Sequence, residues 1–179
     1  MNKPMERFLR NQTKEALQLA QRCPLFDLRP MEPDPVSRYL VRFNCRGLVK
    51  EPDGRIVEES EFWVKIRFPK HYLNRTSTFE VITWAGPDNI FHPNVFVGAR
   101  DRRMARAVCI GDLGPGTPLT RILVQLHNVI RYWNYSTIEQ DALNPDACVW
   151  ARNNMDRLPI DDRQLVWIPP VQPNEGEEP

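Results

Sequence analysis

The sequence predicts one α+β domain with an antiparallel sheet, because its hydrophobic pattern changes period twice along the chain. Residues 4–22 have the spacing of an amphipathic helix, residues 38–84 alternate as strands do, and residues 117–158 return to helical spacing. The chain has 179 residues and a formal net charge of +1. Because this length suits a single hydrophobic core, we expect one domain over residues 1–168.

The N-terminal part is predicted to be a helix followed by a connector. Residues 4–22 place Met5 and Leu9 on one apolar face, which the polar Gln12 interrupts. The proline-rich stretch 24–35 follows. Proline has no amide hydrogen to donate and restricts the residue before it, so this stretch is expected to end the helix and act as a connector.

The middle of the chain is predicted to form the sheet. The runs 38–50 and 55–68 alternate apolar and polar residues, and the Glu-Pro-Asp-Gly sequence at 51–54 between them is typical of a turn. We therefore expect the two runs to pair as an antiparallel hairpin, and a further run at 79–84 to contribute to a four-stranded antiparallel meander. Residues at alternate positions are expected to face the core: Tyr39, Val41, Phe43, Cys45, Val49, Phe62, Val64, Ile66 and Phe68.

An irregular segment separates this sheet from the C-terminal helices. After Pro87 the chain loses periodicity for about thirty residues, and loops of that length in compact domains are more often functional than idle. Helical spacing then runs as far as Trp133, with Thr117 as the predicted N-cap and Pro118 as the first helical residue. A second helix is expected to begin after Asn144, its predicted N-cap.

Composition argues against several classes of protein. The near-neutral charge lacks the broad basic footprint of a dedicated nucleic-acid binder. The chain has no run of about 18 apolar residues, as a membrane span needs, and its start lacks the apolar run of a secretory signal. The four cysteines form no CxxC pair, so we expect reduced thiols in a cytoplasmic protein. Residues 169–179 are acidic and rich in proline, which predicts a disordered tail.

The irregular segment contains a tripeptide and a cysteine in a recognisable order. His92, Pro93 and Asn94 come first, Cys109 follows, and a long predicted helix comes next. This order resembles the ubiquitin-conjugating enzyme family. The sequence FPKHYLNRTSTFEVITW before the tripeptide and the acidic stretch 141–146 after the helix are also similar to segments of that family. The resemblance covers roughly residues 4 to 165 and implies the family's α+β fold.

The resemblance implies roles for particular residues. Cys109 would be the nucleophile that carries the acyl group as a thioester, which suits a thiol because its thiolate both attacks and leaves well. Asn94 would donate a hydrogen bond to the oxyanion, or would instead hold the loop. His92 and Pro93 would shape the loop. Asp141 would position the incoming lysine and help to deprotonate its amine.

Some features depart from the family's usual pattern. The stretch between Asn94 and Cys109 is longer and includes an arginine cluster, the usual paired prolines are replaced at 75–78, and Ala142 stands where a proline is usual. In these respects the chain resembles bacterial relatives that occur in antiphage defence systems. Asp146 is a substitute for Asp141 as the acidic residue. The arginines of the insertion are candidate contacts for a partner protein: Arg100, Arg102, Arg103 and Arg106.

The partners follow from the same resemblance. The chain would receive a ubiquitin-like protein, or a protein with a ubiquitin-like tail, from an ATP-dependent activating enzyme and pass it to a target protein, with no cofactor of its own. His71 and His127 have no metal-ligand spacing with the cysteines, so no zinc site is expected.

Two alternative functions stay open. One is an inactive scaffold with the same fold that only binds ubiquitin-like proteins, and the other is a small nucleic-acid-binding domain that uses the arginine cluster.

Overall fold

The computed structural model of the chain describes residues 2–98 and 106–166. It confirms the α+β class, with an N-terminal helix, a four-stranded antiparallel sheet and C-terminal helices. The predicted tail at 169–179 lies outside the described residues. In chain order the elements are α1 (Lys3–Arg22), β1 (Phe26–Pro30), β2 (Arg38–Phe43), β3 (Gly47–Lys50), β4 (Ile56–Glu59), β5 (Phe62–Arg67), α2 (Thr78–Val81), β6 (Ile82–Gly86), β7 (Val95–Val97), β8 (Arg106–Val108), α3 (Leu119–Ile130) and α4 (Pro145–Asn153). Two 3-10 turns, Glu139–Asp141 and Met155–Arg157, flank α4.

Helix α1 forms as predicted, and its polar interruption has a structural purpose. Asn2 caps the helix by accepting the amide hydrogen of Met5 at 3.0 Å. Gln12 is buried, and its Oε1 accepts the amide hydrogen of Leu119 at 2.7 Å. Since a helix leaves its first amide hydrogens without partners, this bond satisfies the start of α3 and fixes α1 against it.

The predicted connector at 24–35 is wrong in part, because Phe26–Pro30 forms strand β1. The strand pairs antiparallel with β2 at the edge of the sheet, where Pro30 lies opposite Tyr39. Proline is tolerated in an edge strand because a missing amide hydrogen there breaks no bond to a second neighbour. The sheet order is therefore β1, β2, β5 and β6, and neighbouring strands are antiparallel throughout.

The predicted hairpin forms, although each of its long strands is broken into two. Strands β2 and β5 pair within the sheet, while β3 and β4 continue the hairpin as a separate two-stranded ribbon. Gly54 closes the turn with φ of +88°, a conformation that residues with a Cβ seldom adopt. The predicted strand at 79–84 begins later than expected, because Thr78–Val81 forms the short helix α2 and the strand starts at Ile82. The alternate residues predicted to face the core, from Tyr39 to Phe68, are all buried.

The C-terminal helices lie close to their predicted positions. Helix α3 begins one residue later than expected, with Pro118 at the N-cap, because the Thr117 hydroxyl donates to the Gly114 carbonyl instead of capping the helix. The helix ends at Ile130, so Trp133 lies outside it and is 59% exposed, contrary to prediction. The second helix, α4, begins as predicted, since Asn144 Oδ1 accepts the amide hydrogen of Ala147 at 3.2 Å. Across 2–98 and 106–166, no helix has both the length and the apolar character needed to cross a bilayer.

Candidate active site

A two-stranded ribbon within the irregular segment brings the His-Pro-Asn tripeptide to Cys109. Strand β7 pairs antiparallel with β8, and Val95 lies opposite Val108. Asn94 and Cys109 extend this ladder by one pair, because the Cys109 amide donates to the Asn94 carbonyl at 2.8 Å. Cys109 is half-buried and lies between the buried Val108 and Ile110. The ribbon was not predicted, and it places two residues far apart in sequence side by side.

The Asn94 side chain links three segments of the chain. Its Nδ2 donates to the Cys109 carbonyl at 2.9 Å, and its Oδ1 accepts the amide hydrogen of Ser136 at 2.7 Å. Asn94 is only 7% exposed, so these bonds are shielded from water. A carboxamide nitrogen carries two hydrogens, and the second has no acceptor among the residues that the structure describes. The carboxamide therefore holds the cysteine loop against the tripeptide and the Ser136 segment.

His92 fixes the turn that carries Asn94. The ring is fully buried, and its Nδ1 accepts the amide hydrogen of Asn94 at 3.0 Å. Burial lowers the pKa of His92 to about 3. The imidazole is therefore neutral near pH 7 and carries its proton on Nε2. This geometry suits an architectural residue and gives His92 no exposed nitrogen for proton transfer.

The two buried histidines predict a loss of stability in mild acid. The pKa of His127 is also lowered, to about 4, mainly by burial. Both folded-state pKa values lie below the ordinary 6.5, so the unfolded chain binds protons first as the pH falls from about 6.5 towards 4. We expect the free energy of unfolding to fall by about 1.4 kcal/mol per pH unit for each histidine in that window. Urea unfolding at pH 7, 6 and 5 measures this slope.

The variant His127→Gln isolates one of the two contributions. Glutamine does not titrate, so the variant should show about half of the wild-type slope between pH 6 and 5, whatever its stability at pH 7. An equal free energy of unfolding at pH 7 and pH 5 in the wild type would contradict the prediction.

The segment 136–144 lies against the tripeptide and carries Asp141. It is fixed at both ends, by the bond from Ser136 to Asn94 and by the Asn144 amide, which donates to the Pro93 carbonyl at 3.1 Å. Between these anchors, Asp141 ends a 3-10 turn and is exposed. Its carboxylate makes no hydrogen bond or ion pair with the described residues, so it is available to an incoming group.

The other acidic and basic candidates are Asp146 and the arginines of the insertion. Asp146 is exposed in the first turn of α4, two residues after its N-cap Asn144. Arg106 is half-buried in β8 and pairs with Asp88 at 2.8 Å. The remaining arginine candidates lie outside the described residues: Arg100, Arg102 and Arg103.

Of the four cysteines, Cys109 is the one joined to the tripeptide. Cys45 is buried, which raises the pKa of its thiol to about 12. Cys148 is buried, and its thiol donates to the Ser136 carbonyl at 3.3 Å. Cys23 is half-buried, like Cys109, and lies at the end of α1. No group of three or more metal-ligating side chains within the described ranges could hold an ion.

Sequence reasoning missed two residues of this site, Ser136 and Tyr132. Ser136 acts through its backbone amide, which any residue except proline could supply, so no sequence signal marks it. Tyr132 follows the end of α3, and its hydroxyl donates to the Phe91 carbonyl directly before the tripeptide.

No protein-family model matches the chain, and no curated protein matches it in sequence.

Together these contacts create a site suited to nucleophilic chemistry. The half-buried Cys109, the Asn94 carboxamide and the exposed Asp141 belong to segments that hydrogen bonds hold together. A thiol can accept an acyl group, a carboxamide can donate to the oxyanion that forms, and a carboxylate can receive a proton.

Proposed function

We propose that this chain is an acyltransferase of the ubiquitin-conjugating type, with the fold of that family. Cys109 accepts the C-terminal acyl group of a ubiquitin-like protein as a thioester and passes it to an amine of a target protein. The observation that carries the proposal is the pair of hydrogen bonds between Asn94 and Cys109, one through the backbone and one through the carboxamide. These bonds support the proposal, because the resemblance implies that the tripeptide lies beside the nucleophilic cysteine.

The first step exchanges one thioester for another. The Cys109 thiolate attacks the acyl carbonyl, the bond from carbon to the Cys109 sulfur forms, and the bond to the sulfur of the activating enzyme breaks. The departing thiolate takes up the displaced electron pair. This step needs a reduced cysteine, which fits a reducing compartment such as the cytoplasm.

The second step transfers the acyl group to an amine. The amine nitrogen attacks the thioester carbonyl, and the oxyanion that forms can accept the spare Nδ2 hydrogen of Asn94. Collapse breaks the bond to Cys109 and leaves an amide. The attacking nitrogen must lose a proton, and the exposed carboxylate of Asp141 is the candidate acceptor, because the resemblance implies that role and hydrogen bonds anchor its segment to Pro93 and Asn94.

The test uses ubiquitin as the first carrier. The chain is mixed with ubiquitin, the ubiquitin-activating enzyme and ATP, and the products are separated without reducing agent. We expect an adduct that a thiol removes, in the wild type and in Cys23→Ser, whose cysteine has a similar exposure. Cys109→Ala should form none, and Cys109→Ser should form an ester that resists thiol.

Two results would contradict the proposal. One is a thiol-sensitive adduct that persists in Cys109→Ala, which would place the acyl group on another cysteine. The other is noncovalent binding of ubiquitin in a nuclear magnetic resonance titration under the same conditions, without any thioester, which would favour the inactive scaffold.

A further inference from the structure

Tyr132 occupies a backbone conformation that usually requires glycine. Helix α3 ends in a Schellman motif, because the Tyr132 amide donates to the Val129 carbonyl at 2.9 Å and the Trp133 amide donates to the Asn128 carbonyl at 2.9 Å. The residue at this position has a positive φ, and Tyr132 has φ of +63°. A side chain with a Cβ is disfavoured there, whereas glycine is not. The tyrosine side chain must therefore make contacts that offset this disadvantage.

Those contacts are with the tripeptide. The Tyr132 hydroxyl donates to the Phe91 carbonyl, and the ring packs on His92 with 4.3 Å between ring centroids. The side chain is only 1% exposed and belongs to a small core cluster that also contains Phe91 and Ile160. The adjacent Arg131 is fixed as well, because the Ile160 amide donates to its carbonyl at 2.9 Å. The end of α3 is thus rigidly joined to the start of the tripeptide.

A continuous series of contacts leads from Tyr132 to the nucleophile. Tyr132 contacts Phe91 and His92, His92 Nδ1 accepts the Asn94 amide hydrogen, and the Asn94 carboxamide donates to the Cys109 carbonyl. Each contact restricts the position of the next residue in the series. Displacement of the Phe91 carbonyl would therefore be transmitted to the carboxamide that bonds the Cys109 backbone.

We infer that Tyr132 is a positioning residue for acyl transfer, which sets the orientation of the Asn94 carboxamide through Phe91 and His92. This inference rests on the proposed function. It assigns the hydroxyl of Tyr132 a role that a purely apolar core residue would not have, and it accounts for a tyrosine at a position where glycine is ordinarily favoured.

The test measures transfer without a protein carrier. Cys109 is acylated with a small N-acetylglycyl thioester, excess reagent is removed, and discharge to free lysine is followed by intact mass. Tyr132→Phe keeps the ring and removes only the hydroxyl. We expect discharge to slow by about fivefold, because the displaced Asn94 carboxamide would donate a weaker hydrogen bond to the oxyanion.

Tyr39→Phe is the matched control. Tyr39 is also fully buried, and its hydroxyl also donates to a backbone carbonyl, that of Val36 at 2.9 Å, in the connection between β1 and β2. We expect Tyr39→Phe to discharge at the wild-type rate. Equal slowing in both variants would overturn the inference, because the effect would then be a general loss of stability.

A double-mutant cycle tests whether Tyr132 acts through Asn94. Tyr132→Phe should cause no further slowing, within about twofold, in a chain that already carries Asn94→Ala. A further fivefold loss in that background would mean independent effects and would overturn the inference.

A spectroscopic measurement separates this inference from the proposed function. The side-chain amide signals of Asn94, assigned by their loss in Asn94→Ala, should shift in Tyr132→Phe and not in Tyr39→Phe. Unchanged signals in both variants would overturn the positioning role even if the wild type transfers acyl groups. If the wild type accepts no acyl group on Cys109, the proposed function fails, and the role in acyl transfer fails with it.

Discussion

Asn94→Ala is expected to slow discharge of the acylated chain to free lysine by about 10²–10³-fold, the range found when one oxyanion donor is removed. The Asn94 carboxamide donates one Nδ2 hydrogen to the Cys109 carbonyl at 2.9 Å, and its second Nδ2 hydrogen can be donated to the oxyanion. Loss of the side chain also leaves the Ser136 amide without its acceptor. The measurement is the single-turnover rate of discharge, followed by intact mass.

Comparison of the discharge rate with the unfolding midpoint distinguishes the two roles open to Asn94. An oxyanion donor for aminolysis should affect discharge far more than it affects stability, whereas a residue that only holds the loop should lower the unfolding midpoint and change discharge little. Asn44→Ala is the control, because Asn44 also donates to a backbone carbonyl, that of Pro24 at 3.2 Å, on the exposed surface. A wild-type discharge rate in folded Asn94→Ala would contradict the catalytic role.

Asp161→Ala is expected to cause the largest loss of stability, about 3 kcal/mol, because it removes a charged acceptor from a fully buried position. The carboxylate accepts the Arg46 amide at 2.8 Å and pairs with Arg163 at 2.6 Å. These hydrogen bonds and the Arg163 charge lower the pKa of Asp161 well below its usual value against the opposing effect of burial. Urea unfolding near pH 7 measures the loss.

The neighbouring Asp162 provides a matched control. It is exposed, so Asp162→Ala should change the free energy of unfolding by less than about 0.5 kcal/mol. A similar loss in both variants would show that the buried contacts of Asp161 contribute no more than an exposed aspartate does.

Sequence patterns predicted the helices and strands in which buried and exposed residues recur at regular intervals. Alternation identified the core residues of β2 and β5, and helical spacing located α1 and α3. The cap of α4 was also predictable, because an asparagine followed by proline has a local physical meaning. These features depend on neighbouring residues along the chain.

The features that sequence reasoning missed depend on residues far apart in sequence. Strand β1 forms in a proline-rich stretch because β2 offers it an edge, which composition does not reveal. Gln12 looks like a fault in an amphipathic helix until Leu119 is placed beside it. The ribbon that joins Asn94 to Cys109 is only three residues long on each side, too short for alternation to be recognised.

The central claim is that Cys109 is the acyl-accepting nucleophile, and competition between two cysteines of similar exposure tests it most directly. The wild-type chain is treated with a limiting amount of the N-acetylglycyl thioester, and the acylated cysteines are identified by peptide mass after digestion at low pH. Cys109 has the Asn94 carboxamide beside it, whereas Cys23 lies at the end of α1 without such a donor among the described residues. We predict that Cys109 is acylated at least about tenfold faster than Cys23. Equal rates at the two cysteines, or faster acylation of Cys23, would contradict the account.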